Sequence, residues 1–153
     1  MFYFTQGLVN SFFPGSAFAA QSLNISDQSL SDRHVDLKNL VFGICCIIPF
    51  GTFNHRRSAH VVLEEPKVII ELAPGDLFFL PSASIHHENI PLADPDVELR
   101  KSMISYSAGA LFRWIQQGFK AAPTNKTSAE KQVDTAQGDI RWLEGWRLFC
   151  TMN

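Results

Sequence analysis

The sequence is poor in charge and has no excess of basic residues. Only 18% of its 153 residues are charged, 46% are hydrophobic, and the net charge is −2. A disordered chain has the opposite balance, so we expect a folded one. The lack of positive charge also removes the overall electrostatic footprint of a nucleic-acid-binding protein, although a local basic strip is compatible with it.

Cysteine and long apolar runs are scarce as well. Cys45 and Cys46 are adjacent and Cys150 is far away. This spacing indicates no disulfide framework, so we expect buried core thiols in a reduced, intracellular compartment. The longest apolar run, from Val41 to Phe50, has ten residues, about half of what a membrane span needs, and we expect no membrane partner. The apolar N-terminus lacks a basic segment, so a signal peptide is not expected.

The pattern of the chain predicts one mainly β domain over residues 1–153. Its core covers about 17–120 and a helical extension about 121–153. Thirteen Phe residues favour a β-type interior, and short strands separated by turns every eight to twelve or so residues are typical of a sandwich or barrel. Residues 1–15 are read as a strand or a short helix. Further strands are predicted at 17–24, 41–48, 60–63, 67–72, 77–81, 84–90 and 98–107.

From Ala110 onward the period changes from strand to helix. Apolar residues recur there at three- and four-residue steps and predict a first amphipathic helix. A second helix is predicted over residues 129–149, broken near Gly138. The polar stretch 124–137 has little to bury and is predicted to be mobile.

His34 and Asp36 form a His-x-Asp pair after a polar loop. In an extended segment, residues two apart point to the same face, so imidazole and carboxylate converge. With one distant His, such a pair makes the facial triad of non-haem Fe(II) oxygenases. Five His residues make a chance match common, so the tripeptide alone is weak support.

The third ligand must be a His well downstream. His87 follows Asp36 by 51 residues, with His86 beside it. Adjacent strand residues face opposite sides, so only one of the two can point inward. From the residues alone, His86 is more simply a surface or satisfied core residue.

Arg100 and Ser102 follow on the next predicted strand and alternate onto one face, with Lys101 on the other. A guanidinium suits a planar carboxylate such as the distal group of 2-oxoglutarate. A zinc hydrolase site could also be built from these His and Asp residues, but it gives no reason for the trailing Arg-x-Ser.

Five stretches of the chain resemble one protein family, the fungal, chiefly basidiomycete, 2-oxoglutarate/Fe(II)-dependent oxygenase-like proteins. That family is related in fold to TET/JBP-type nucleic-acid oxygenases. The similar stretches run in order over roughly residues 17–150: Ala-Phe-Ala-Ala-Gln-Ser-Leu-Asn at 17–24, His-Val-Asp-Leu-Lys-Asn-Leu at 34–40, Pro-Ser-Ala at 81–83 with His-Glu-Asn-Ile-Pro at 87–91, Tyr-Ser-Ala-Gly-Ala-Leu-Phe-Arg-Trp at 106–114, and the segment 141–149.

The resemblance implies a double-stranded β-helix, or jelly roll, with C-terminal α-helices. The family pattern of His, any residue, Asn, a small apolar residue and Pro falls on His87 and not His86. The implied Fe(II) ligands are therefore His34, Asp36 and His87. Arg100, with Ser102, is implied to bind the co-substrate 2-oxoglutarate, and O₂ is the second co-substrate.

The implied activity is that of an Fe(II)/2-oxoglutarate-dependent dioxygenase acting on a methylated nucleobase in DNA, which would place the protein in the nucleus. A degenerate jelly-roll copy without turnover, and a hydroxylase of a protein side chain or a small molecule, are the alternatives. Two departures from the family stand out. Ser58-Ala59 replaces a usual Gly-Gly, and the loop between His87 and Arg100 is about two residues longer than usual.

Overall fold

The computed structural model describes residues 15–121 and 123–149. The strand or helix predicted over residues 1–15 therefore lies, except for Gly15, outside the described residues. The described chain is mainly β, with antiparallel sheets and a C-terminal helix, as predicted. Its elements are β1 (Ala20–Asn24), β2 (Cys45–Thr52), β3 (Val61–Leu63), β4 (Val68–Ile70), β5 (Phe78–Leu80), β6 (His87–Asn89), β7 (Leu99–Tyr106), α1 (Gly109–Gln116) and α2 (Ser128–Phe149).

The strands form two antiparallel sheets. One has the order β1-β7-β2-β5 and the other the order β4-β3-β6. The long strand β7 pairs with β1 on one side and with β2 on the other, so that Ser102 lies opposite both Asn24 and Pro49. β7 is thus a central strand, which holds its alternate side chains in the interior.

The segment between β1 and β2 adds to the smaller sheet through a single bridge. His34 pairs with His87 of β6 in antiparallel fashion. A second isolated bridge joins Gln28 to Arg100 in parallel fashion. The His-x-Asp segment is therefore joined to β6 at His34, but it is not a regular strand.

The main core cluster takes residues from both sheets. Its buried members are Cys45, Ile47, Val61, Leu63, Leu72 and Leu80. Cys46 is also buried, and both thiols are free. Burial raises the pKa of the Cys45 and Cys46 thiols, which keeps them protonated and poorly reactive. The predicted role of both residues as core thiols is confirmed.

Gly51 and Ala59 both have a positive φ. Gly51 has φ 121°, and a Cβ there would approach the Leu99 carbonyl oxygen to 2.3 Å. Only glycine therefore fits at the end of β2, opposite Arg100. Ala59 has φ 59°, a conformation that favours glycine.

The chain divides into two compact units, with the boundary between Ala108 and Gly109. The second unit holds both helices. The helical extension is predicted to begin at about residue 121, which is later in the chain than this boundary. That residues 1–153 form a single domain stays a prediction.

Helix α2 corrects one expectation, because it runs without a break through Gly138. It begins at Ser128, within the polar stretch 124–137, whose mobility stays a prediction. Its start is fixed by a capping box, in which the Thr127 hydroxyl accepts from the Glu130 backbone N–H and the Glu130 carboxylate accepts from the Thr127 backbone N–H and hydroxyl. Such reciprocal capping stabilises a helix whose sequence has little to bury.

Neither described helix has the length and hydropathy that crossing a bilayer requires.

Candidate metal centre

The centre is built on two His residues that face each other across the isolated bridge. Each backbone N–H donates to the other residue's carbonyl, at 3.0 Å from His34 and 2.9 Å from His87. Partners in such a hydrogen-bonded antiparallel pair project their side chains to the same face. Their ring centroids accordingly lie 4.3 Å apart.

Each imidazole is oriented through its Nδ1 atom. Nδ1 of His34 lies 2.6 Å from the Asp32 carbonyl oxygen, and Nδ1 of His87 lies 2.9 Å from the Ile85 carbonyl oxygen. A proton on Nδ1 donates to these carbonyls, which leaves the Nε2 lone pair of each ring free to ligate. Burial lowers the pKa of His87, with a smaller contribution from neighbouring His34. His87 is thereby kept in the neutral form that a metal binds.

Asp36 completes the group. Its Oδ1 atom lies 3.6 Å from Nε2 of His34, while Oδ2 accepts a 3.0 Å hydrogen bond from the Asn39 amide. The Asn39 amide also donates to the Ser82 hydroxyl, and the Asp36 backbone N–H donates to the Ser82 carbonyl. One carboxylate oxygen is therefore held away from the His rings and the other is presented to them.

The three side chains form a candidate set of metal donors. One ligand atom from each of His34, Asp36 and His87 can be chosen so that all lie within 4.8 Å of one another. Two donors that each lie about 2.1 Å from an ion are about 3.0 Å apart at a right angle and about 4.2 Å apart when opposed. The His34–Asp36 separation falls in that range. Two imidazoles and one carboxylate form the facial set of non-haem Fe(II) enzymes, which leaves other positions open.

Arg100 and Ser102 lie on the same face of β7, as predicted. Both side chains are buried, with exposed fractions of 4% and 2%. The Arg100 guanidinium donates to the Ser29 carbonyl oxygen at 2.6 Å through Nη1. The Ser102 hydroxyl accepts from the Asn24 amide and shares a hydrogen bond with the Ser29 hydroxyl, each at 3.2 Å.

No carboxylate of the described residues forms an ion pair with Arg100. Burial lowers the pKa of Arg100, but a guanidinium remains protonated at neutral pH. A buried cation without an anion is costly, and proteins pair such charges as a rule. The Arg100 guanidinium therefore lacks an anionic partner among the described residues, and an anionic ligand would supply one.

One cavity of about 130 Å³ joins these groups. Its polar lining includes His34, Asp36, His87, Arg100 and Ser102. Its apolar lining comes from Ile47, Val61 and Ile104.

Asn89, which the sequence did not single out, holds the loop before His34 through its side-chain hydrogen bonds. The side-chain oxygen Oδ1 of Asn89 accepts from the backbone N–H and hydroxyl of Ser31, at 2.9 and 2.7 Å, and its side-chain amide nitrogen donates to the Ser29 carbonyl at 3.2 Å. Asn89 lies two residues after His87 on the same buried face of β6. The His-x-Asn spacing was visible in the sequence, but its partners lie about sixty positions away. Asn39, three residues after Asp36, was also missed.

His86 and Lys101 are directed elsewhere. His86 Nδ1 lies 2.6 Å from the Glu65 carboxylate, and Lys101 is 3.3 Å from that of Asp27. Glu64, Glu65 and His86 form a second group whose ligand atoms lie close together. Both glutamates are exposed, and Glu64 is already paired with Arg33. The members of this second group are therefore already engaged by their neighbours, Glu64 by Arg33 and Glu65 by His86.

Compared with protein-family models, curated proteins and solved structures, the chain matches none of them. Neither the resemblance to the oxygenase family nor the assigned roles of the five site residues are tested by these comparisons. Those roles stay predictions, supported by the geometry described above.

Proposed function

We propose that the protein is an Fe(II)/2-oxoglutarate-dependent dioxygenase. The observation that carries the proposal is a single cavity shared by a two-His, one-carboxylate donor set and by a buried, unpaired Arg100. A zinc hydrolase site would account for the donor set but not for the buried Arg100. A dicarboxylate co-substrate explains both parts, since one end reaches the metal and the other neutralises the guanidinium.

Each site residue has its own role in this proposal. Nε2 of His34, Nε2 of His87 and Oδ1 of Asp36 hold the iron, while Asn39 fixes the carboxylate that carries Oδ1. Arg100 binds the distal carboxylate of 2-oxoglutarate as a charge-assisted donor, and the Ser102 hydroxyl donates beside it. Iron(II), when bound, supplies the activation of O₂ by which 2-oxoglutarate is oxidised to succinate and CO₂ and a substrate C–H bond is hydroxylated. The apolar residues of the cavity exclude water from that chemistry.

The strand arrangement supports the finer fold assignment, a double-stranded β-helix. If the His34 segment is counted as a strand between β1 and β2, eight strands result. The first, eighth, third and sixth then form one sheet in that order, and the fifth, fourth, seventh and second form the other. Two four-stranded antiparallel sheets between which the chain passes repeatedly are the architecture of a jelly roll.

Membership of the TET/JBP-related fungal family is part of the proposal. The left-handed backbone of Ala59, at one of the positions where that family usually carries Gly-Gly, supports it. A methylated nucleobase in DNA is the substrate that this membership implies, together with a nuclear location. A protein side chain and a small molecule remain the alternatives for the substrate.

The test is release of succinate from 2-oxoglutarate in the presence of Fe(II) and O₂. The parent protein is expected to produce succinate, and His34→Ala and Asp36→Ala are expected to produce none. His86→Ala is the matched control, since its imidazole faces Glu65, and it should behave like the parent. Equal turnover by the parent and the two ligand variants would refute the proposal. Stoichiometric metal binding without any turnover would instead identify a degenerate copy that keeps the site.

A further inference from the structure

The two structural units carry opposite charge. Residues 109–149 contain six Lys and Arg residues against four Asp and Glu, whereas residues 1–108 contain seven against eleven. The overall net charge of −2 therefore conceals a basic helical unit.

The positive charge of the helical unit is concentrated in one cavity of about 420 Å³ between α1 and α2. Four cationic side chains and one acidic side chain line it: Arg113, Lys120, Lys126, Arg141 and Asp134. Asp134 and Arg141 come from one face of α2, since residues seven apart are two turns apart. We call this cavity the basic groove.

Three of the four cations have no acidic partner among the residues that the structure describes. Asp134 is paired with Lys126, which leaves Arg113, Lys120 and Arg141 without an ion pair to any described residue. Like charges crowded around one cavity repel one another, and an anionic ligand relieves that repulsion. Two of the three are Arg, whose fork of donors suits phosphate oxygens.

The rest of the lining indicates what kind of anion fits. The indole of Trp114 lines the groove and is 38% exposed, held in place by an edge contact with Phe119 at 4.8 Å. An exposed flat ring beside cations is the combination by which proteins bind single-stranded nucleic acid, the ring stacking on a base while the cations bind phosphates. Three uncharged amides, from Gln116, Gln117 and Gln137, add hydrogen-bonding groups for sugars and base edges.

We infer that the basic groove binds single-stranded nucleic acid, with Arg113, Lys120 and Arg141 on the phosphates and Trp114 against a base. This binding site is distinct from the metal centre, and it does not depend on the proposed oxidation. Neither group of possible metal donors found among the described residues contributes to its lining.

The experiment is fluorescence anisotropy of a labelled, mixed-sequence, single-stranded oligodeoxynucleotide titrated with the full chain in chelator. Three phosphate contacts predict a slope of log K against log salt of about −2, which is roughly a twentyfold loss of affinity between about 50 and 200 mM salt. Arg113→Gln, Lys120→Gln and Arg141→Gln should each weaken binding and flatten that slope by about 0.7. Lys131→Gln, on α2 but outside the groove, is the matched control and should bind like the parent.

Two further probes separate nucleic acid from other polyanions. An abasic oligonucleotide of equal charge should bind roughly tenfold more weakly to the parent, because stacking contributes about 1–3 kcal/mol per base. Trp114→Leu should abolish that preference. Heparin binding as tight as that of the oligonucleotide, with no loss from the abasic probe, would overturn the inference, and so would an equal effect of Lys131→Gln. Chelator is present throughout, so oligonucleotide binding reports on the groove alone, and failure of the metal centre and failure of the groove are distinguishable.

Discussion

His34 and His87 are joined backbone to backbone, each donating its N–H to the other's carbonyl at about 3 Å. The bridge brings together a residue from an irregular loop and a residue of β6 that are far apart in sequence. It places two Nδ1-anchored imidazoles on one face of the smaller sheet. The donor set therefore depends on the fold of the whole β unit and not on the His-x-Asp tripeptide alone.

Replacing Asn39 should weaken metal binding without unfolding the protein. The Asn39 amide is the side-chain donor to Oδ2 of Asp36, and loss of such a supporting bond typically costs about 10–100-fold in metal affinity. Asn39→Ala should therefore bind Co(II) about 10–100-fold more weakly than the parent in a spectroscopic titration. Leu37→Ala, two residues away and 85% exposed, is the control. Equal affinity of Asn39→Ala and the parent would mean that Asp36 needs no support.

Replacing Arg100 by Met should abolish 2-oxoglutarate binding and yet stabilise the protein in the absence of ligand. The substitution removes a buried charge that lacks an ion pair, and the Ser29 carbonyl keeps a donor in the Asn89 amide. We expect the free energy of unfolding to rise by on the order of 1–2 kcal/mol. Urea unfolding with and without 2-oxoglutarate measures both effects.

The parent should also be stabilised by 2-oxoglutarate, by about 2.7 kcal/mol at a concentration of 100 times Kd. Lys101→Met is the matched control for Arg100→Met, since Lys101 projects to the other face and pairs with Asp27. It should respond to 2-oxoglutarate like the parent. A loss of stability in ligand-free Arg100→Met, or retained ligand stabilisation, would contradict the assigned role of Arg100.

Ser58 should be important for stability although it lies outside the metal centre. Its side chain is 1% exposed, its hydroxyl donates to the Glu98 carboxylate, and it accepts from the Ala93 backbone N–H at 2.9 Å. Ser58→Ala leaves that N–H without its partner, which costs about 1–3 kcal/mol. Ser84→Ala, which removes a single exposed bond to the Val41 carbonyl, should cost less. Equal urea midpoints for the two variants would show that Ser58 is not a structural anchor.

Glu98 should make stability depend on pH in the acid range. Hydrogen bonds from the Ser58 hydroxyl, and then from the Asn54 backbone N–H, lower the pKa of Glu98 from its ordinary 4.5. A carboxyl whose pKa is lower in the folded state stabilises the protein above its unfolded pKa. That contribution is lost as the pH falls below 4.5 and through the lowered value.

The Glu98→Gln variant should therefore be less stable than the parent at neutral pH, with the difference shrinking as the pH falls below 4.5. Urea midpoints of the two proteins over that range measure it. A difference that stays constant with pH would show that Glu98 acts through its shape and not through its charge.

Local pattern was enough to predict most strands and four of the five predicted site residues that converge in the cavity. Side chains two apart on β7 share a face, so Arg100 and Ser102 could be paired from the sequence alone. The same rule paired His34 with Asp36, although the segment lacks a regular strand. The choice of His87 over His86 came from the family resemblance, and the side chain of His87 is the buried one of the two.

The supporting residues could not be predicted because their partners are distant along the chain. Asn89 reaches Ser29 and Ser31 only after the loop folds back onto β6. The error in α2 has a different cause. A polar sequence without a buried face gives no periodic signal, whereas the capping box at Thr127 and Glu130, which stabilises the start of the helix, was present in the sequence but not used.

Metal stoichiometry tests the central claim most directly. Equilibrium dialysis of the purified chain against Fe(II) without oxygen, or against Co(II), should give one tightly held ion per chain for the parent and for His86→Ala. His34→Ala, Asp36→Ala and His87→Ala should retain none under the same conditions, with circular dichroism spectra like that of the parent. Absence of a stoichiometric ion in the parent, or equal binding by His87→Ala, would contradict the metal centre proposed for this protein.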